Sequence, residues 1–278
     1  CPTGFGDHRG HMLSIGEGAS AEVQEQIRRL GSDNIILQSI KPPQNSNQES
    51  QGGSFLLEYG LTYADADRMN ATLPGIASIV PMKSQPSDLW VGANKVSVQL
   101  GATGPWLINN AGLQLIRGRF LSAEDLENKA NVIVIGQDAA TTLFQYHDPI
   151  DAPLKVDSDV YKVIGIVGST GPAAGAGASG VSLASQNTDA YVPITTWRSR
   201  QGDSVVRRTQ GGQSAEKVEL TEMIIKVKSP EAVLPTASLI ERMLTVAHPT
   251  GDFKLTVPLR LLEEAERTKR IFSMVISS

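Results

Sequence analysis

The sequence predicts a mixed fold, α+β or α/β, in which a layered domain built from both ends of the chain is interrupted by an inserted strand-rich domain. Three observations predict it. Helix-then-strand units occur near both ends; β-branched runs crowd the middle; and 278 residues exceed the usual single-domain size of about 100 to 200. Apolar residues at 40% and charged residues at 19% suit a chain that buries a core rather than a disordered one.

The elements follow in order. Residues 1–12 are glycine-rich, hold two of the four histidines without periodicity, and read as an expression leader, so His8 and His11 carry no metal argument. Gly16-Glu17-Gly18-Ala19-Ser20 runs into Val23, Ile27 and Leu30, one helical stripe that Gly31 ends, with Arg28 and Arg29 in its last turn. Ile35-Ile36-Leu37 is a short buried strand. Thr62 is an N-cap, with Asp65 in the first turn of a helix to about Asn70, and the strand Ile76 to Met82 follows.

Past these the texture changes. Pro105 to Arg119 carries turns and short apolar pieces, and Ser122 caps a short acidic helix. Val132 to Ile135 is a strand leading to a helix over Ala139 to Phe144, and Tyr161 to Val167 and Ala190 to Ile194 are β-branched strands. Lys41 to Gly53, Ser169 to Gly180 and Ser199 to Gln213 are polar and read as mobile loops. Met223 to Val227 is a strand. Pro235 is placed as the first residue of a helix whose stripe is Ile240, Met243, Leu244 and Ala247, and Phe253 to Val257 alternates as the closing strand. These boundaries assign 13–101 and 219–258 to a discontinuous α/β domain and 102–218 to the insertion.

Over 259–278, Leu261, Ala265, Thr268, Phe272 and Val275 share a face, and Glu263, Glu264, Glu266, Arg267, Lys269 and Arg270 fill the early turns. Ile271 to Ile276 is then apolar around much of its circumference, as the first turns of a helix leading to a missing membrane span would be. An amphipathic helix docked on its own core is the alternative. No stretch reaches the roughly 18 to 20 apolar residues that span a bilayer.

Little chemistry is legible. Net charge is −4 with scattered Lys and Arg, which argues against nucleic acid as a partner; Arg28-Arg29 and Arg207-Arg208 read as a helix end and a solvated loop. Cys1 is the single cysteine, so neither an internal disulfide nor a cysteine metal site is expected. Gly168 to Gly175 follows a strand but lacks the Gly-Lys-Ser/Thr of a phosphate loop and the dinucleotide spacing. His147 and His248 read as lone polar residues at helix ends, and the pairs Asp65 with Asp67 and Glu263 with Glu264 as solvated helix faces. No catalytic, cofactor-binding or metal-binding residue is predicted.

Several blocks carry a family resemblance. Met12-Leu13-Ser14-Ile15-Gly16-Glu17-Gly18-Ala19 with Gln26 to Ile36, then Gly112 to Phe120 with its Gly118-Arg119-Phe120 run, Asp125, Val132 to Gly136, Tyr161 to Val167 and Tyr191-Val192-Pro193-Ile194, and last Leu261 to Thr268 with Arg270-Ile271-Phe272, occur in order along the chain. Together they resemble the extracytoplasmic domain of MacB-like ABC transporter permeases, within the MacB/FtsX/LolC superfamily. The resemblance implies a porter-like α/β domain from both chain ends and an inserted sabre-like domain. It implies a non-catalytic domain on the periplasmic side of the inner membrane that receives ATP-driven motion through two flanking membrane helices. Implied partners are an ABC ATPase domain or subunit, a second copy in a homodimer, a periplasmic adaptor and an outer-membrane channel, in export of peptides, antibiotics or lipid-linked cargo. The alternative is a ligand- or lipoprotein-binding module using the cleft between the two domains, and an enzyme comes third. The stretches 169–187 and 199–217 look longer than the family's, so partner contacts there are not carried over.

Overall fold

A computed structural model describes residues 33–42, 56–110, 113–145, 147–169, 190–202, 204–209 and 212–260. The helix expected over Val23 to Leu30, most of the two loops beginning at Lys41 and Ser169, and the run from Leu261 onward lie outside the described residues.

The chain enters as β1 (Asn34–Ser39), whose Ile35 and Leu37 are fully buried. Then come β2 (Leu56–Glu58) and α1 (Tyr63–Thr72), capped by Thr62 as expected. The strand expected over Ile76 to Met82 continues to Val91, making β3 (Ile76–Val91) a sixteen-residue element. Its hydrogen-bonding partner on one side changes along its length. Residues 76–82 pair with β12 (Glu222–Val227), residues 83–91 pair with β4 (Asn94–Thr103), and Leu89 and Trp90 also pair with β7 (Pro153–Val156). At about 3.3 Å per residue, β3 runs about 50 Å.

The middle of the chain adds α2 (Leu107–Asn110), β5 (Leu113–Gly118), α3 (Ala123–Glu127), β6 (Val132–Gly136), α4 (Gln137–Phe144), β8 (Asp159–Ser169) and β9 (Ala190–Pro193). The final strand ends one residue earlier than expected because Ile194 opens α5 (Ile194–Arg200). A 3-10 turn (Pro230–Ala232) leads into α6 (Val233–Ala247), and β13 (Phe253–Thr256) closes the sheet. Pro235 is therefore the third residue of α6, not the first. Its missing N–H costs nothing there, because the first turn of a helix leaves those donors unpaired anyway.

The loop expected over Ser199 to Gln213 is corrected. Ser199 and Arg200 finish α5, while β10 (Ser204–Thr209) and β11 (Gly212–Lys217) form an antiparallel hairpin; β11 pairs in parallel with β2. Arg207 and Arg208 thus lie on a strand rather than in a solvated loop. Backbone pairing within the hairpin, which β11 anchors to the distant β2, overrides their polar composition.

The main sheet has ten strands in the order β13-β1-β12-β3-β4-β9-β6-β8-β5, with β7 joined to β3 and β8. It is a mixed α+β sheet: β4 with β9 and β6 with β8 are parallel, and the other pairs are antiparallel. Alternate residues divide its faces. Ile133 and Ile135 face a large core that also holds Ile35, Leu89, Val156, Tyr161, Trp197, Ile225 and Val257, covered by α1, α4, α5 and α6. Val132 and Val134 face a smaller core on the other side with Val80, Leu107, Phe120, Tyr191 and Ile224.

Candidate functional site

The end of the sheet where β1, β13 and α1 meet holds the most closely coupled polar group among the described residues. Gly60 turns the chain toward α1 at φ +85, a conformation costly for any residue with a Cβ, and a Cβ there would lie 2.5 Å from Ser39 Cβ. Its N–H donates to Asp252 Oδ2 at 2.7 Å. Two residues on, Thr62 and Asp65 form a capping box: the Thr62 N–H and hydroxyl donate to Asp65 Oδ2 at 2.9 and 2.6 Å, and the Asp65 N–H donates to Thr62 Oγ1 at 3.2 Å.

His248 completes the group from the other end of the chain. It is the C-cap of α6, its backbone N–H donating to Leu244 O at 2.7 Å. Nε2 lies 3.0 Å from Asp65 Oδ2, and Nδ1 lies 3.0 Å from Asp252 Oδ1, a charge contact too poorly aligned for a hydrogen bond. The three side chains are 9%, 6% and 7% exposed, and the Phe253 ring meets the imidazole edge-on at 6.0 Å. Burial pushes the Asp65 carboxyl up, but the Thr62 hydrogen bonds and then His248 outweigh it, so Asp65 ends below the usual carboxylate range.

Two sequence expectations are thereby corrected. Asp65 is not on a solvated face, although Asp67 is exposed; and His248 is not a lone terminator, because folding brings in a carboxylate 183 residues away. Both ring nitrogens face carboxylates, which leaves neither free to deprotonate a hydroxyl or to ligate a metal. Among the described residues no group of three or more His, Cys, Asp and Glu is placed to hold a metal ion. His147 is exposed, its backbone N–H donating to Phe144 O at 2.8 Å. Gly168 lies within β8, one residue before its end, against Ile116, and Glu263 and Glu264 lie outside the described residues.

A seam joins α1 to the middle of the chain. Arg198 of α5 stacks 4.5 Å above the Tyr63 ring, the Tyr63 N–H donates to Glu219 Oε2 at 3.0 Å, and Gln85 Nε2 donates to Gln201 Oε1 at 2.9 Å. The buried Lys83 ammonium, where β3 changes partners, donates to Val218 O.

The Gly118-Arg119-Phe120 block builds a second knot. Gly118 sits at φ +73, where an added Cβ would collide with the Ile164 carbonyl oxygen. Arg119 can then fork onto Asp125 at 2.5 and 2.9 Å, while Phe120 packs against Tyr191. At the far end of β3, Trp90 is partly exposed with Lys95 Nζ 5.0 Å from its ring; Lys155 and Val160 continue the same exposed row across β7 and β8.

Comparisons with known proteins agree with this architecture. A family profile described as the MacB-like periplasmic core domain matches residues 11–243. Macrolide export ATP-binding/permease protein MacB of Azoarcus sp. (strain BH72) is 23% identical over 269 residues, covering 96% of this chain and 36% of the relative. MacB of Hyphomonas neptunium is 26% identical over 271 residues, 96% of this chain and 37% of the relative. The chain thus spans little more than a third of the length of these relatives. In fold it is similar to the periplasmic region of MacB from Actinobacillus actinomycetemcomitans, with a TM-score of 0.62 at 18% identity over 88% of this chain and 98% of that one. The extracellular domain of the ABC-type transporter YknZ from Gram-positive bacteria gives a TM-score of 0.56 at 15% identity, over 80% and 99%.

Proposed function

The chain belongs to the MacB-like periplasmic core domain family, and from that premise we propose that it is the extracytoplasmic lever of an ABC transporter permease. In this reading it passes ATP-driven motion of the flanking membrane helices to envelope partners. Its partners are an ABC ATPase, a second copy of the permease, and a periplasmic adaptor with its outer-membrane channel. Its own part is mechanical rather than catalytic, and its place is the periplasmic face of the inner membrane. Among the described residues no helix is long and apolar enough to cross a membrane.

One observation carries the reading. β1 and β13 are antiparallel neighbours, with Ile36 opposite Thr256 and Ser39 opposite Phe253, so the segments before Asn34 and after Thr256 leave the sheet side by side from one end. β3 starts at that same end, where Ile76 pairs with Val227, and runs its whole length to the Trp90 row. A displacement of the two flanking segments is thus applied to one end of a strand whose other end is about 50 Å away.

Stiffness is the physical requirement, since a lever that bends locally loses the motion. The large core supports it by running without a break from Ile35, Ile225 and Val257 to Leu89, Val156 and Tyr161. The division into a porter-like part over 13–101 and 219–258 and a sabre-like part over 102–218 is proposed with it, β3 and β4 forming the join. The same continuity disfavours a ligand module working in an open cleft between the parts.

Replacing residues 20–256 in a full-length transporter with an unrelated rigid domain of similar span tests the proposal. ATP hydrolysis should persist while export of the transporter's cargo is lost. Export at the parental rate would overturn the lever.

A further inference from the structure

We infer that one mouth of a closed strand barrel, beneath α5, is a binding site for an internal water held by Ser87, Tyr161 and Trp197. The site goes beyond the lever reading and does not depend on it.

The barrel follows from the strand pairing. β3 bonds to β4, β4 to β9, β9 to β6, β6 to β8, β8 to β7, and β7 returns to β3. Six strands thus close a ring within the main sheet. Alternation turns one side of each strand inward, where Leu89, Val98, Leu100, Ile133, Val156 and Val163 of the large core fill the interior.

Helix α5 lies across one mouth of this ring. It continues directly from β9 and reaches three other strands with its last residues. Gln85 of β3 donates to Gln201 at 2.9 Å, Arg200 Nη1 donates to Asp159 at the head of β8 at 2.7 Å, and Arg200 Nε donates to Asn131, just before β6, at 2.9 Å. Trp197, one turn back along α5, is 1% exposed and belongs to the same core.

Two hydroxyls share the mouth with that indole. Ser87 lies two residues beyond Gln85 on β3, on the inward face with Leu89, and Tyr161 lies two residues beyond Asp159 on β8; they are 6% and 1% exposed. Burial pushes the Tyr161 phenol above its ordinary range, and the charges that act on it next are those of Asp159, Arg200 and Asp157, which places the hydroxyl toward the α5 mouth. Ser87 Oγ, Tyr161 Oη and Trp197 Nε1 are closed off from solvent, and none has a hydrogen-bond partner among the described residues. Folded chains rarely leave buried polar atoms in that condition, so three at one mouth mark a place for something that bonds to them.

The chemistry of the three atoms selects the occupant. The indole only donates, whereas each hydroxyl both donates and accepts. A cation would meet the indole N–H. An anion would meet Asp157 and Asp159, with the Arg200 guanidinium already paired to Asp159. A neutral molecule that accepts from the indole and exchanges bonds with both hydroxyls suits all three. Size narrows the choice further: eight strands enclose an interior that side chains just fill, and six enclose less, which leaves room for water rather than an organic ligand. A buried water makes about three hydrogen bonds, the number offered here.

Such a water ties α5 to two walls of the barrel, β3 through Ser87 and β8 through Tyr161. The same helix carries Arg198, stacked on Tyr63 of α1, so the water steadies the helix on which the seam to α1 is built.

A crystal structure of the chain at a resolution that shows ordered water should place one within hydrogen-bond distance of Trp197 Nε1, Tyr161 Oη and Ser87 Oγ. Urea unfolding supplies an independent sign. Deleting a buried hydroxyl that has no partner stabilises a fold, whereas deleting one bonded to water removes a hydrogen bond. Tyr161→Phe and Ser87→Ala should therefore each lower the folding equilibrium constant by about fivefold, the worth of one hydrogen bond. The double variant should lose less than the product of the two, because either deletion already weakens the water's hold on the other hydroxyl. Three results would each overturn the site: a Tyr161→Phe chain more stable than the parent, either hydroxyl bonded to a protein atom in the crystal, or density at the mouth too large for water.

Discussion

Asp125 shows how much one carboxylate can organise when its partners are close in sequence. It accepts the N–H and hydroxyl of Ser122, both at 2.8 Å, and the fork of Arg119. Hydrogen bonds from Arg119 lead in lowering its pKa to about 2; burial opposes them, and Ser122 adds to the lowering. A carboxyl depressed in the fold contributes stability above its unfolded value, near 3.8, and loses it as pH falls toward about 2. The stability gap between the parent chain and Asp125→Asn should accordingly be widest at pH 5 and close by pH 2, as read by urea unfolding at each pH. Because the Arg119 side chain is half exposed, solvent screening keeps this pH-dependent gap to about 1 kcal/mol. The cap at Ser122 was legible because a serine three residues before an aspartate is a local pattern. Its equivalent at Thr62 and Asp65 was legible for the same reason, but the burial of Asp65 was not. His248 approaches it from 183 residues along the chain, and no spacing rule connects residues that far apart.

Elements were readable where a single period governs their burial. In α6 Ile240 and Leu244 of the expected stripe face the core and Met243 is half-buried, but Ala247 is exposed in the last turn; Ala237 is buried one turn before Ile240, while Val246 is 84% exposed. Truncating Ile240 to Ala should cost about 2–4 kcal/mol through lost burial and the cavity left behind. Changing Val246 to Lys should stay within about 0.5 kcal/mol, and chemical denaturation of the two variants checks the contrast. The β10–β11 hairpin was unreadable because its strands are rich in Ser, Arg, Gln and Gly, and what stabilises them is backbone pairing to each other and to Leu56–Glu58. The length of β3 was hidden by a different cause. Pro86 and the polar Lys83, Ser84, Gln85 and Ser87 interrupt its apolar pattern where β4 is its strand partner, between the ends of β12 and β7.

For the whole molecule, the join along β3 decides how the chain unfolds. Two domains linked by a hinge would melt separately, since each would own a core. Here Met69 and Ile240 from the chain ends and Leu143, Tyr161 and Trp197 from the middle belong to one contiguous apolar cluster, and the smaller cluster joins Val80 and Ile224 to Val134 and Val167. Disrupting either end of such a core exposes surface in the other. The chain should therefore give a single calorimetric transition whose van't Hoff and calorimetric enthalpies agree. Leu89→Ala in the distal half and Ile35→Ala in β1 should each shift that same transition downward, by about 2–5 kcal/mol of stability. Two resolved transitions, with each substitution moving only one, would mean that the parts fold independently. In that case the stiffness on which the lever depends would have to come from something other than the core, because a strand of sixteen residues cannot resist bending by its own backbone once the packing on its faces is free to separate.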